Sequence, residues 1–141
     1  MTPRVALGGK LTLMEAEAGE AAAVVARMLD GNREAFKAIG AQLRAAPPAT
    51  VVTCARGSSD HAATYAKYLI ETTIGTPTAS AALSVASLYD APVVAGNRLC
   101  LAISQSGQSP DLLAAVEHQR AAGAFVVALV NAEDAPLCDL A

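Results

Sequence analysis

Two short stretches carry side chains able to hold a small anion without help from a lysine. One is Ser104-Gln105-Ser106-Gly107-Gln108-Ser109, and the other is Gly57-Ser58-Ser59, which follows Arg56. In the first, hydroxyls and amides surround a glycine that lets the backbone turn, so that successive N–H groups face one concavity. Pro110 then stands where a helix takes its first residue, and the unpaired N–H groups and positive dipole end of that helix add to the hole. The chemistry this suits is phosphate binding. Read singly, Ser109 is equally well an N-cap and Gly107 a turn residue. The second loop of the same composition favours the anion site.

Both loops need elements that aim them at one place. Thr50-Val51-Val52-Thr53-Cys54-Ala55, rich in β-branched residues, reads as a strand before the first loop, and Leu99 to Ile103 as a strand before the second. A helical pattern through Ala63, Ala66, Tyr68, Leu69 and Ile70, closed by Gly75, follows the first loop, and Leu112 to Ala122, closed by Gly123, follows the second. Between the two units lie a short run at Pro77 to Ser80, a helix predicted over Ala82 to Tyr89, and turns at Asp90-Ala91-Pro92 and Gly96-Asn97. Ala124 to Val130 is a further apolar strand. Strands this apolar suit a parallel sheet covered on both faces, so the fold class is α/β with a doubly wound parallel sheet. In the flavodoxin-like strand order the first and third strands are neighbours at the switch point, where ligands bind beyond the carboxyl ends. The two hydroxyl-rich loops then face one crevice.

Ahead of the sheet, Leu13, Met14, Ala18, Ala21, Ala22, Val25, Met28 and Leu29 recur at helical spacing up to Gly31. Asn32 can cap a second helix carrying Phe36, Ile39 and Leu43. Pro47 and Pro48 make the clearest composition break. The chain therefore divides into an N-terminal helical arm, residues 1–46, able to pack on its own domain or on a partner subunit, and a ligand-binding domain, residues 47–141.

The 141 residues are the size of one domain, and 53% hydrophobic with 16% charged residues is ample for a packed core. A net charge of −3, 4% aromatics and no Trp argue against nucleic-acid binding, which needs a basic face and often stacking platforms. No apolar run is long enough to span a bilayer and the first residues lack a leader pattern, which leads to an expected cytoplasmic location. Cys54, Cys100 and Cys138 fit no metal-ligand spacing and read as reduced thiols, so neither a disulfide nor a metal is expected. The dinucleotide fingerprint G-x-G-x-x-G and the P-loop ending Gly-Lys-Ser/Thr are both absent, which favours a small phosphorylated ligand over a nucleotide.

Other residues with chemistry to offer read more plainly. His61 lies one turn into the helix after the first loop and can reach a ligand, although a helix-terminal His is commonly a surface residue. His118, between Glu117 and Arg120, reads as solvated surface, and Tyr65 and Tyr68 as core or interface. Arg56 can offset phosphate charge or pair with Asp60 or Asp111. Glu15, Glu17 and Glu20 spread round a helix as a solvated face.

The loop Ser104 to Ser109 resembles the S-x-S-G-x-[ST] phosphosugar signature of the SIS, or sugar isomerase, domain family, and Cys54 to Ser59 resembles that family's first Gly-Thr/Ser-Ser loop. The likeness is to the isomerase part of glutamine–fructose-6-phosphate aminotransferase and to the glucosamine-6-phosphate deaminases. It runs from about Met14, where Met14, Glu17 and Glu20 are similar to the family's leading helix. The resemblance implies that Ser104, Ser106 and Ser109 hold a phosphate with their hydroxyls, joined by backbone N–H groups around Gln105, Ser106 and the turn at Gly107. It implies that Gly57, Ser58 and Ser59 border the sugar end. It also implies a phosphorylated sugar or amino sugar as ligand, a homodimer, and no cofactor.

Two departures shape the expected activity. The aminotransferases carry an amidohydrolase domain with a cysteine after the initiator Met, whereas residue 2 here is Thr. The family's acid/base residues, a glutamate, a histidine and a lysine, lie beyond the matched region, which leaves the catalytic residues unknown. Asp134-Ala135-Pro136-Leu137 reads as a helix start close to the last residue, so the sequence is expected to end inside its first sheet domain. The expected activity is conversion of glucosamine 6-phosphate to fructose 6-phosphate and ammonia. The alternatives are a phosphosugar-sensing module without turnover, and a deglycase of sugar-phosphate amino-acid adducts.

Overall fold

A computed structural model describes residues 12–132 and 134–141. The chain divides into two compact units, Met1–Pro47 and Pro48–Ala141. In the first, α1 (Leu13–Gly31) and α2 (Arg33–Ala45) follow the predicted helices closely. Thr12 caps α1 with Glu15 in a reciprocal box, in which the Glu15 N–H donates to the Thr12 hydroxyl and the Thr12 N–H to the Glu15 carboxylate. The Thr12 N–H, and after it the Thr12 hydroxyl, donating to the Glu15 carboxylate hold that carboxyl below its ordinary pKa.

The second unit is a four-stranded sheet in the order β2-β1-β3-β4, with β1 (Thr50–Ala55), β2 (Thr78–Ser80), β3 (Arg98–Ser104) and β4 (Phe125–Val130) all parallel. Helix α3 (Ser58–Ile74) joins β1 to β2, the short α4 (Leu83–Ser87) lies between β2 and β3, and α5 (Pro110–Ala121) joins β3 to β4. The doubly wound α/β sheet is thus the fold observed, with β1 and β3 adjacent at its centre. Because the chain runs out from β1 to β2 and then returns to the other side of β1, the loops after β1 and β3 diverge at the carboxyl edge, and a cleft opens there.

The core lies mainly on one face of the sheet. Cys54, Cys100, Ala102 and Val126 alternate toward Leu83 of α4 and Leu112, Ala115 and Val116 of α5, and Leu137 closes the layer. By the same alternation Val51, Thr53, Ala55 and Leu99 point to the opposite face, where α3 packs and buries Ala63. That face is less fully covered than the apolar strands predict. Leu101, Ile103, Phe125 and Val127 are half-buried and Leu129 is exposed, because this unit supplies one helix there and not two.

The differences from the predicted elements are at the ends. The helix predicted over Ala82 to Tyr89 shortens to Leu83–Ser87, and α5 begins at Pro110, in keeping with the preference of proline for a first helical position. The helix start at Asp134-Ala135-Pro136 becomes a 3-10 helix, Pro136–Leu140. No helix among the described residues is long and apolar enough to cross a membrane.

Candidate functional site

The last paired residues of the central strands are Ala55 on β1 and Ile103 on β3, so both loops leave the sheet at the same level. Between them is a crevice of about 600 Å³ lined by Arg56, Gly57, Ser58 and Ser59 on one side, and by Ser104, Gln105, Ser106, Ser109 and Asp111 on the other. Seven of the eight residues predicted for the site therefore share one cavity, and Gly107 is the eighth.

Gly107 lies one layer behind the others, buried, and acts on the shape of the loop. Its φ is +63°, and a Cβ there would come within 2.6 Å of Ala135 Cβ and 2.9 Å of Val130 Cγ2. Only glycine fits both the backbone angle and the space. The Gly107 N–H donates to Ser104 Oγ at 3.0 Å, its carbonyl accepts the Leu137 N–H at 3.2 Å, and the Gln105 carbonyl accepts the Asn131 N–H at 3.3 Å. The loop after β3 is thereby tied on three bonds to itself and to the segment that follows β4. Since Ser104 Oγ accepts the Gly107 N–H, its own proton is left to donate elsewhere.

Ser109 occupies the N-cap position of α5, but its hydroxyl makes no capping hydrogen bond. Pro110 lacks an N–H and the Leu112 N–H donates to Asp111 Oδ1 at 3.0 Å, so the positive end of α5, without a cap from Ser109, lies beside the hydroxyls of Ser104 and Ser106. The opposing loop has a similar arrangement. Gly57, with φ 55° and ψ −130°, precedes α3 without a side-chain cap, and the Ser59 and Asp60 N–H groups donate to the Arg56 and Gly57 carbonyls at 3.1 Å. Two helix N-termini and a ring of hydroxyls thus border one crevice, a setting that favours negative charge.

Its ionisable side chains are Arg56 and Asp111, which form an ion pair across the mouth. Of the two partners open to Arg56 in the sequence, the fold selects Asp111. The lining has hydrogen-bond donors in number, and its two ionisable side chains are engaged with each other, an arrangement suited to holding and orienting an anion. Among the described residues no group of three or more His, Cys, Asp or Glu side chains is placed to hold a metal.

His61 is exposed on α3 and lies outside the crevice lining. His118 corrects the sequence reading: its side chain is only 26% exposed and lies 3.3 Å from Asp90, whose positive φ of 46° turns the loop back toward α5. Tyr65 and Tyr68 are 70% and 66% exposed, which removes the core reading and leaves the interface one. The contact between Cys54 and Cys100 had no sequence signal, because it depends on strand register. Both thiols are fully buried with sulfurs 3.8 Å apart, and the hydrogen bond they share, reinforced by burial, pushes the Cys54 thiol far up.

A family model for the SIS domain matches residues 45–141. The chain is 37% identical over 91 residues to the glutamine–fructose-6-phosphate aminotransferase (isomerizing) of Symbiobacterium thermophilum, which covers 64% of this chain and 14% of that protein. A crystal structure of a candidate phosphosugar isomerase from Silicibacter pomeroyi superposes with a TM-score of 0.88 at 43% identity, over 93% of this chain and 40% of that one. The C-terminal domain of the aminotransferase from Francisella tularensis superposes with a TM-score of 0.55 at 26% identity, over 67% of this chain and 27% of that one. The sequence thus spans about one seventh of the length of the curated relative and less than half of the first solved one.

Proposed function

The chain belongs to the SIS domain family, in the phosphosugar isomerase branch related to the isomerase part of the aminotransferases, and from that premise we propose a specific ligand and reaction. The crevice takes an amino sugar 6-phosphate, and the whole protein converts glucosamine 6-phosphate and water to fructose 6-phosphate and ammonia. The Ser104, Ser106 and Ser109 hydroxyls, with backbone N–H groups around Gln105 and Ser106, hold the phosphate. Gly57, Ser58 and Ser59 border the sugar, and Gly107 keeps the phosphate loop in shape.

One observation carries this reading: two hydroxyl-rich loops, each leading into a helix whose N-cap residue makes no side-chain capping bond, line the same crevice. Such an anchor can use the binding energy of a non-reacting phosphate to hold the reacting carbons in line. The proton transfers between C2 and C1 need acid/base groups beyond those that line this crevice, so no catalytic role is assigned to its residues. Residues 47–141 form the phosphosugar unit in this reading and residues 1–46 an arm. The exposed Tyr65 and Tyr68 support a homodimer, which sedimentation on dilution tests, and a cytoplasmic location is tested by fractionation.

The deciding experiment is ammonia release from glucosamine 6-phosphate by the full-length protein without added glutamine. Equimolar fructose 6-phosphate and ammonia are expected. No release, while glucosamine 6-phosphate still raises the melting temperature, replaces the deaminase with a sensing module or a deglycase.

A further inference from the structure

A phosphate monoester brings between one and two negative charges near neutral pH, while the crevice offers one cation and one anion already paired. The two partners are held very differently. Asp111 is fixed in the first turn of α5: its side chain is 21% exposed and Oδ1 accepts the Leu112 N–H at 3.0 Å. Arg56 is 63% exposed and reaches over from the loop after β1. Both also line a neighbouring hollow of about 290 Å³ beside Ser80 and Ser84, which none of Ser104, Ser106 and Ser109 touches. The ion pair therefore marks the boundary of the crevice, with the phosphate-loop hydroxyls to one side of it.

Asp111 poses a difficulty for any anion at that helix end. An unpaired carboxylate there competes for the same positive dipole and repels the ligand across a partly buried, weakly screened space. Resting on the phosphate reading above, we propose that Arg56 is a positioning residue for the phosphate: it neutralises Asp111 from the β1 side, so that a phosphate monoester meets the N-terminus of α5 free of a competing charge. Arg56 acts on affinity through Asp111 and need not touch the ligand. The same pair couples the loops, since the group that cancels the charge on α5 belongs to the loop that borders the sugar.

The test is calorimetric titration of fructose 6-phosphate, and separately of inorganic phosphate, into the full-length protein and its variants Arg56→Gln, Asp111→Asn and the double variant, with a melting curve for each. Asparagine is chosen for the second variant because its amide keeps an oxygen for the Leu112 N–H. Arg56→Gln is expected to weaken both ligands on the order of 10–100-fold. Asp111→Asn is expected to bind at least as tightly as the wild type, and the double variant to return to within about threefold of it, a non-additivity that a merely structural pair does not produce. A double variant as weak as Arg56→Gln overturns the proposal by making Arg56 a direct phosphate ligand. Unchanged binding in Arg56→Gln overturns it as well. A wild type that binds neither ligand defeats the phosphate reading itself and this inference with it, whereas a binding wild type without the rescue defeats the inference alone.

Discussion

The loops after β1 and β3 have the same plan of strand, glycine, hydroxyls and helix, yet they are built to different tolerances. The loop after β3 is pinned: Gly107 is buried against Ala135, Val130 and Leu137, and three backbone N–H groups hold the turn. The loop after β1 is open, for nothing lies within 4 Å of where a Cβ on Gly57 would be, and Gly57 and Ser58 are exposed. A phosphate is small, rigid and common to many substrates, so a pre-formed cradle loses little entropy on binding it. A sugar differs in length, ring and hydroxyls, and an open border leaves it room. The pinned loop thus suits the constant part of a phosphosugar and the open loop the variable part.

The sharpest way to break this contrast is to place the same methyl group in both loops. Gly107→Ala meets two obstacles, a left-handed φ and an overpacked contact with Ala135, which together cost about 3–5 kcal/mol. The expected outcome is a large fall in melting temperature and loss of phosphate affinity even where the chain still folds. A stable, fully binding Gly107→Ala protein would show that the loop is not pinned.

Next in size is the hydroxyl pair. Ser104→Ala with Ser106→Ala is expected to weaken phosphosugar binding by about 2–5 kcal/mol, read by calorimetry. Ser104→Ala also leaves the Gly107 N–H without its acceptor, so it alone of the two single variants is expected to lower the melting temperature, by the equivalent of about 1 kcal/mol. Equal thermal effects from both serines would mean that the bond from Gly107 to Ser104 does not hold the turn.

What the sequence could and could not show follows the same division. Apolar β-branched runs, punctuated by Gly-Ser clusters and followed by helical periodicity, are local signals, and they gave the parallel sheet and the meeting of the two loops. The pinning was not legible, because it comes from residues far along the chain: Val130, Ala135 and Leu137, which close over Gly107, and Asn131, whose N–H donates to the Gln105 carbonyl, show no sign of it in their own types. Arg56 had two acids in reach by sequence, and only the position of Asp111 in the first turn of α5 decided between them. The Cys54–Cys100 contact and the covered His118 likewise depend on register and on a loop folding back, which no periodicity records.

Gly57→Ala is the counterpart of the first variant and is expected to be milder. Its φ of 55° with ψ −130° is uncomfortable for any side chain, at about 1–2 kcal/mol, but no neighbour obstructs the methyl group. The melting temperature should fall modestly while affinity for inorganic phosphate stays close to that of the wild type. If Gly57→Ala were as damaging as Gly107→Ala, the two loops would be equally constrained and the assignment of constant and variable parts would lose its basis.

The smallest effect bears most directly on that assignment. Ser59 is the second residue of α3, its N–H is engaged with the Arg56 carbonyl, and it lines the crevice from the open side. Ser59→Ala removes one neutral hydrogen bond to the ligand, worth about 0.5–1.5 kcal/mol. That loss should appear with fructose 6-phosphate and be absent with inorganic phosphate, since inorganic phosphate has no sugar to reach the hydroxyl. Ser106→Ala should weaken both ligands by similar factors, because both present the same group to the loop after β3. Comparing the two ratios cancels any general loosening of the crevice, which would weaken both ligands in both variants. A Ser59→Ala protein that loses inorganic phosphate as much as fructose 6-phosphate would place the phosphate between the loops rather than within one, and the division of labour drawn from their rigidity would then be wrong.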